Sequence, residues 1–125
     1  MQKEVKMMKT LIIKSGKQVN NFIMSEEAIR QIYSEHNEGK PLLDKINYSK
    51  EKVCGYLQRT ELARNPETGE LELWGYFIYD VNDKTFDKYG ECSYEIVYRH
   101  EDMDKNNILH KASLCGCVMV NKMTL

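Results

Sequence analysis

Two long alternating segments joined by a proline–glycine turn constrain this chain more than any other feature. Val53 to Arg64 runs into Asn65-Pro66-Glu67-Thr68-Gly69, where the proline fixes φ and the glycine takes the left-handed position, and the chain returns through Glu70 to Val81. On the return, Leu71, Leu73, Phe77, Tyr79 and Val81 share one face, while Trp74, Tyr76 and Ile78 share the other. Apolar side chains on both faces predict a central strand covered on both sides. A lone hairpin is at best marginal in water, so this one demands further strands or a helix packed on it.

The flanking sequence supplies both. Lys9 to Lys14 reads as a strand closed by Ser15-Gly16-Lys17, and Gln18 to Met24 as an extended piece that pairs with it in a hairpin. Ser25 reads as a helix N-cap whose oxygen accepts an amide proton from the first turn, with Glu26 and Glu27 at the positive end of the dipole. Ala28, Ile29, Ile32 and Tyr33 fall on one face, and Gly39 followed by Pro41 ends the helix. Such an amphipathic helix belongs on a sheet. Asn82-Asp83-Lys84 begins a turn, and Thr85 to Gly90 reads either as a loop or as a short helical turn. Glu91 to Arg99 alternates again, with Cys92, Tyr94, Ile96 and Tyr98 on the apolar face and Ser93, Glu95 and Arg99 on the other. After the acidic turn His100 to Asn107, the last strand holds Ile108, His110, Ala112, Leu114, Val118 and Val120 in one phase, with Gly116 admitting a close backbone. The expected fold is a single α+β domain over 1–125, a strand-rich antiparallel sheet or small barrel with one amphipathic helix near the N-terminus.

Charge and hydropathy exclude several function classes. With 18 basic against 19 acidic residues and a net charge of -1, the chain lacks the basic footprint that drives nucleic-acid affinity. No apolar run approaches the roughly 20 residues of a membrane span. Leu11-Ile12-Ile13 is too short for a signal-peptide core. The expectation is therefore no nucleic-acid partner, no membrane, and a chain kept in a cytosol, where Cys54, Cys92, Cys115 and Cys117 are reduced thiols.

Several short motifs occur in a suggestive order: Ser15-Gly16-Lys17, Met24-Ser25-Glu26-Glu27, Pro41-Leu42-Leu43-Asp44-Lys45 and Val53-Cys54-Gly55-Tyr56, then Leu71-Glu72-Leu73-Trp74-Gly75, Ser93-Tyr94-Glu95-Ile96 and Ala112-Ser113-Leu114-Cys115-Gly116-Cys117-Val118-Met119-Val120-Asn121. This order resembles the tailed-phage head maturation (prohead) protease family, with its Mu-type and assemblin-like members. The resemblance implies a serine endopeptidase of capsid assembly, with Ser93 at the nucleophile position on a strand that joins a small-residue terminal strand. Lys45 stands where the family's base histidine is expected, and Met123 replaces its terminal proline. Loss of that histidine implies degenerate or absent proteolysis. The domain would then act in the host cytoplasm or the prohead by binding phage coat protein, scaffold protein or itself, as a homo-oligomer. The residues leave a reading from a different class open: a non-enzymatic viral binding protein, a capsid accessory or a host-defence inhibitor, working through an oligomeric β-surface.

The chemistry-bearing residues each have a plainer reading. A Ser93–Lys45 dyad works only if burial lowers the lysine pKa toward neutrality. Otherwise Ser93 is a solvent-facing strand residue and Lys45 an ordinary surface lysine. His36, His100 and His110 offer other bases, because a triad is defined by geometry rather than order. Their plainer roles are a helix-end dipole partner, a loop residue and a satisfied core histidine, and His110 is the one carried forward with Ser93 and Lys45. Cys115 and Cys117 place two sulfurs on one side of a strand, with Cys54 and Cys92 on other strands. Their spacing is unlike that of a zinc site and favours core packing. The acidic turn lacks the glycine and spacing of a calcium loop. No metal or cofactor is expected. Tyr76, Tyr79, Tyr94 and Tyr98 line a binding face or cover the core edge, and a small-ligand pocket in a β-barrel is a further reading.

Overall fold

The computed structural model describes residues 5–44, 52–80 and 89–121. The described chain holds β1 (Val5–Lys14), β2 (Gly16–Lys17), β3 (Ile23–Met24), α1 (Glu26–Ser34), β4 (Pro41–Asp44), β5 (Lys52–Arg64), β6 (Leu71–Asp80), β7 (Tyr89–Val97), β8 (Ile108–Leu109) and β9 (Ser113–Asn121). Its strands form a six-stranded sheet in the order β1-β6-β5-β4-β9-β7 and a small sheet in the order β2-β3-β8. The larger sheet curls until Cα atoms of its end strands, β1 and β7, come within 8 Å of each other. This is an α+β, sheet-dominated domain with one helix, as its alternation predicts.

The central hairpin forms for local reasons. Asn65 Oδ1 accepts the amides of Glu67 and Thr68 at 2.9 and 3.3 Å, and the Gly69 amide donates to Asn65 O at 2.8 Å. Gly69 has φ 75°, a conformation that costs glycine little. From this turn β5 and β6 zip antiparallel, from Arg64↔Leu71 to Gly55↔Tyr79, with Gln58 as an extra residue between Leu57 and Arg59. On β6, Leu71, Leu73 and Phe77 are buried on the inner face. The outer face departs from expectation, because no second layer among the described residues covers it. Trp74, Tyr76 and Ile78 are half-buried there, shielded by long side chains of the neighbouring strands rather than by another element. Lys9 lies 5.2 Å from the Trp74 ring centre, and the Arg59 guanidinium lies 3.7 Å from that of Tyr76.

The helix caps as the sequence predicts, with Ser25 Oγ accepting from the Ala28 amide at 3.1 Å. Ala28, Ile29 and Ile32 are buried against the inner face of the curled sheet, and Tyr33 is exposed. The helix ends at Ser34, before the predicted glycine stop. Asn37 reaches back and donates its Nδ2 to Ile32 O at 2.8 Å, closing the C-terminus with a side chain.

Three expectations about pairing are corrected. β1 does not form a hairpin with 18–24; it pairs antiparallel with β6 along its whole length. Ser15 locks the end of that ladder, its amide donating to Leu71 O and its hydroxyl accepting from the Leu71 amide. The sheets are also not purely antiparallel, since β4–β9 and β3–β8 are parallel. On β9 the predicted phase holds only to Leu114. The register steps from Ile96↔Leu114 to Glu95↔Gly116, leaving Cys115 as the extra residue of a bulge. A bulge shifts every later side chain to the opposite face. Cys117 and Met119 are therefore buried, Val118 turns outward opposite Ser93, and the exposed Cys115 does not share a side with Cys117. Gly116 does admit a close backbone: a Cβ there would sit 2.8 Å from Pro41 O on β4.

Candidate functional site

β7 closes the sheet order, and among the described residues it pairs only with β9. Its other edge turns toward β1 without a backbone ladder. Among the described residues, the side chains of Cys92 and Tyr94 bridge this seam. Cys92 Sγ donates to Leu11 O at 3.5 Å, and the Tyr94 hydroxyl donates to Gln18 Oε1 at 2.7 Å. Gln18 is preset for that role, since its Nε2 donates to Lys14 O and Gly16 O at 2.7 and 2.9 Å. Burial pushes the Tyr94 phenol up to about 12, so it remains a protonated donor at any physiological pH.

Two clefts follow the free edge of β7, and a third lies past its end, against Ala112 and Ser113 at the start of β9. One of about 470 Å³ lies in the seam and includes Leu11, Gln18, Trp74, Cys92 and Tyr94. The next, about 680 Å³, is walled by Phe22, Tyr94, Ile96, Tyr98 and Met103, with Asn20, Asn21 and Asn107 at its rim. The third, about 470 Å³, runs from Val97 and Tyr98 to Arg99 and Lys111. Tyr94 lines both of the first two and Tyr98 both of the last two, so the clefts adjoin. Val97 and Tyr98 are 58% and 48% exposed, which leaves apolar surface uncovered at one end of the run.

Of the residues singled out for catalysis, the structure describes Ser93 and His110. Ser93 is exposed on β7, on the opposite face from Cys92 and Tyr94, and no hydrogen bond joins it to His110. Lys45 lies outside the described residues. His110 is not a core histidine sharing the β9 phase; it is exposed in the connection from β8 to β9. Its Nδ1 meets the Glu27 carboxylate and its Nε2 lies 2.7 Å from Asp104 Oδ2. These two carboxylates, Asp104 first, hold the imidazole pKa above its usual value. With both nitrogens occupied, the ring clamps the start of α1 to the 104–107 turn and has no lone pair turned toward Ser93. His36 and His100 are exposed, the first beyond the end of α1 and the second opening a 3-10 turn.

Of the four tyrosines, Tyr94 and Tyr98 line the clefts, whereas Tyr76 belongs to the outer face, donating to Glu61 Oε2 at 2.9 Å. Among the described residues, no three histidine, cysteine or acidic side chains come together in a metal-binding group, and no helix is long and apolar enough to cross a membrane. Phe22, Met103, Gln18 and the asparagine rim were not singled out from sequence. A signal exists for one of them: Met103 is a bulky apolar residue isolated in a polar turn, a pattern unusual unless something covers it. Comparisons with family models, curated proteins and solved structures give no match for this chain.

Proposed function

We propose that this domain is a non-enzymatic binding module whose working surface is the free edge of β7, where it receives an extended polypeptide segment as an added strand. One observation carries the reading: a sheet edge without a ladder partner among the described residues is flanked by clefts with aromatic and aliphatic walls. Strand addition uses such an edge for main-chain hydrogen bonds and the flanking pockets for alternate side chains. Phe22, Ile96, Tyr98 and Met103 offer those pockets apolar walls, and the asparagine rim offers amide donors and acceptors. The occupied ring of His110 supports a role without proton transfer at Ser93.

Selection from a displayed library of random linear peptides tests this reading. Wild-type protein should enrich sequences with alternating apolar residues, and Val97→Asp or Tyr98→Asp should weaken the enriched peptides by tenfold or more. Ser93→Ala should bind them unchanged. Failure to enrich any such peptide, or equal binding by the Asp variants, would contradict the proposal.

A second reading keeps the likeness to the prohead proteases, with phage coat protein, scaffold protein or a second copy as the partner. It is supported by the pairing of the serine strand with the small-residue terminal strand, at Ser93↔Val118. A fluorophosphonate probe separates an active member from a degenerate one. Labelling at Ser93 that vanishes in Ser93→Ala would mark an active protease.

A further inference from the structure

Cys92 and Cys117 sit on neighbouring antiparallel strands, with Tyr94 opposite Cys117 and Cys92 opposite Met119. Both thiols turn to the inner face, Cys117 fully buried and Cys92 half-buried in the wall of the seam cleft. They are diagonal neighbours across the two paired strands. Cys92 already has a structural task there, since its thiol donates across the seam to Leu11 O. Cys115 faces solvent, and Cys54 is engaged elsewhere, its thiol donating to Leu42 O at 3.3 Å.

We propose that Cys92 and Cys117 are a reversible thiol pair that a hydroperoxide converts to a disulfide, and that this removes the Cys92–Leu11 bridge and loosens the β1–β7 seam. The two sulfurs have distinct parts. Cys92 borders the seam cleft whereas Cys117 is fully buried, so the oxidant reaches Cys92 first. The Cys92 thiolate attacks one peroxide oxygen, the O–O bond breaks, and hydroxide leaves behind a sulfenic acid. The Cys117 sulfur then attacks Cys92 Sγ, the S–O bond breaks, and the departing hydroxide takes the Cys117 proton as water. In sum, two thiols and one hydroperoxide give a disulfide, water and water or the corresponding alcohol, with the sulfurs oxidised and the peroxide reduced.

Geometry makes the bond labile. Diagonal strand neighbours lie about 7–8 Å apart, whereas unstrained disulfides span Cα separations of about 4.4–6.8 Å. Closing the bond therefore shifts Cys92 toward β9 and away from Leu11, and a strained disulfide is readily reduced again. Tyr94–Gln18 would then be left bridging the seam among the described residues.

The test uses the full chain carrying Cys115→Ser, which removes the exposed thiol, treated with hydrogen peroxide. Intact mass should fall by two hydrogens. A non-reducing peptide map should join Cys92 to Cys117, and dithiothreitol should reverse both changes. Amide exchange at Leu11 to Ile13 should quicken by roughly fivefold, the loss of one hydrogen bond. In Cys117→Ser the same treatment should leave a Cys92 sulfenic acid that dimedone traps. Differential alkylation of the unmutated chain, with Cys92 modified before Cys117, gives the same answer if that variant does not fold. No cross-link, a cross-link to Cys54, or a Cys92–Cys117 bond that leaves seam exchange unchanged would overturn the proposal. None of these readouts depends on peptide binding, so the result is separable from that of the binding reading.

Discussion

The two sides of β1 are held in contrasting ways. Toward β6 it has an antiparallel ladder from Val5↔Asp80 to Lys14↔Glu72, interrupted by one register shift at Ile12 and covered outside by Lys9, Trp74, Tyr76, Arg59 and Glu61. Toward β7 it has two side-chain bridges and a cleft. On the ladder side, each tie is backed by others: Lys9 lies 3.1 Å from Glu61, which also accepts from Tyr76, and the Lys9 hydrogen bond holds the Glu61 carboxyl below its usual pKa. On the seam side, losing one bridge leaves one. Regions with few buried contacts and unpaired backbone edges open at lower free energy than the global transition. The fold thus keeps its stability in the hairpin sheet and leaves its adaptable edge at β7.

Substitutions can break or sharpen this contrast. Phe77→Ala, at a fully buried position on the inner face of β6, should cost about 3–5 kcal/mol in denaturant unfolding and lower the protection of both sides together. Gly116→Ala forces a Cβ against Pro41 O and should cost about 1–3 kcal/mol, felt first where β4 meets β9 and so behind β7 rather than in the hairpin. The paired changes Tyr94→Phe and Tyr76→Phe each remove one hydroxyl donor and should each cost about 0.5–1.5 kcal/mol. Their local effects should differ: amide exchange in β1 quickens after Tyr94→Phe and stays near wild type after Tyr76→Phe. Equal effects would erase the distinction between ladder and seam.

The smallest effect concerns the clamp behind the cleft wall. His110 is raised from 6.5 by Asp104 and Glu27, so its contribution is complete below about pH 6.5 and is lost as pH climbs through the higher folded value. Asp104 is lowered from 3.8 by His110 first, so its contribution is present above about pH 3.8 and is lost as pH falls through the depressed folded value. The clamp is thus strongest between those limits. Stability measured across pH should decline more on the alkaline side in wild type than in His110→Gln, and identical profiles would show that the clamp does not hold the 104–107 turn.

Local signals made much of this fold legible. Asn65 to Gly69 and Ser25 act through neighbours a few residues away, so their turn and cap follow from residue type. The helix stop was misplaced because Asn37 supplies an end that a glycine rule does not contain. The partner of β1 was misplaced because pairing with β6 depends on residues about sixty positions away, fixed at one end by Ser15 on Leu71. The β9 phase failed at Cys115, where one extra residue reverses the faces; the reading of His110 as a core residue failed separately, because the strand stops at Leu109 and resumes at Ser113. Tyr94 and Tyr98 were legible as a candidate binding face. Their cleft was not, because it exists only where the curl of the sheet brings β7 toward β1 and the 20–22 and 103–107 turns.

Residue-resolved amide hydrogen exchange of the reduced, full-length chain tests the central claim most directly. Amides within the β5–β6 ladder should exchange only through global unfolding. The outward-facing amides of β7, and those of β1 turned away from β6, should exchange by local opening at least about a hundredfold faster. Uniform protection across β1, β6 and β7 would mean that the seam is a closed ladder, and that β7 offers no free edge.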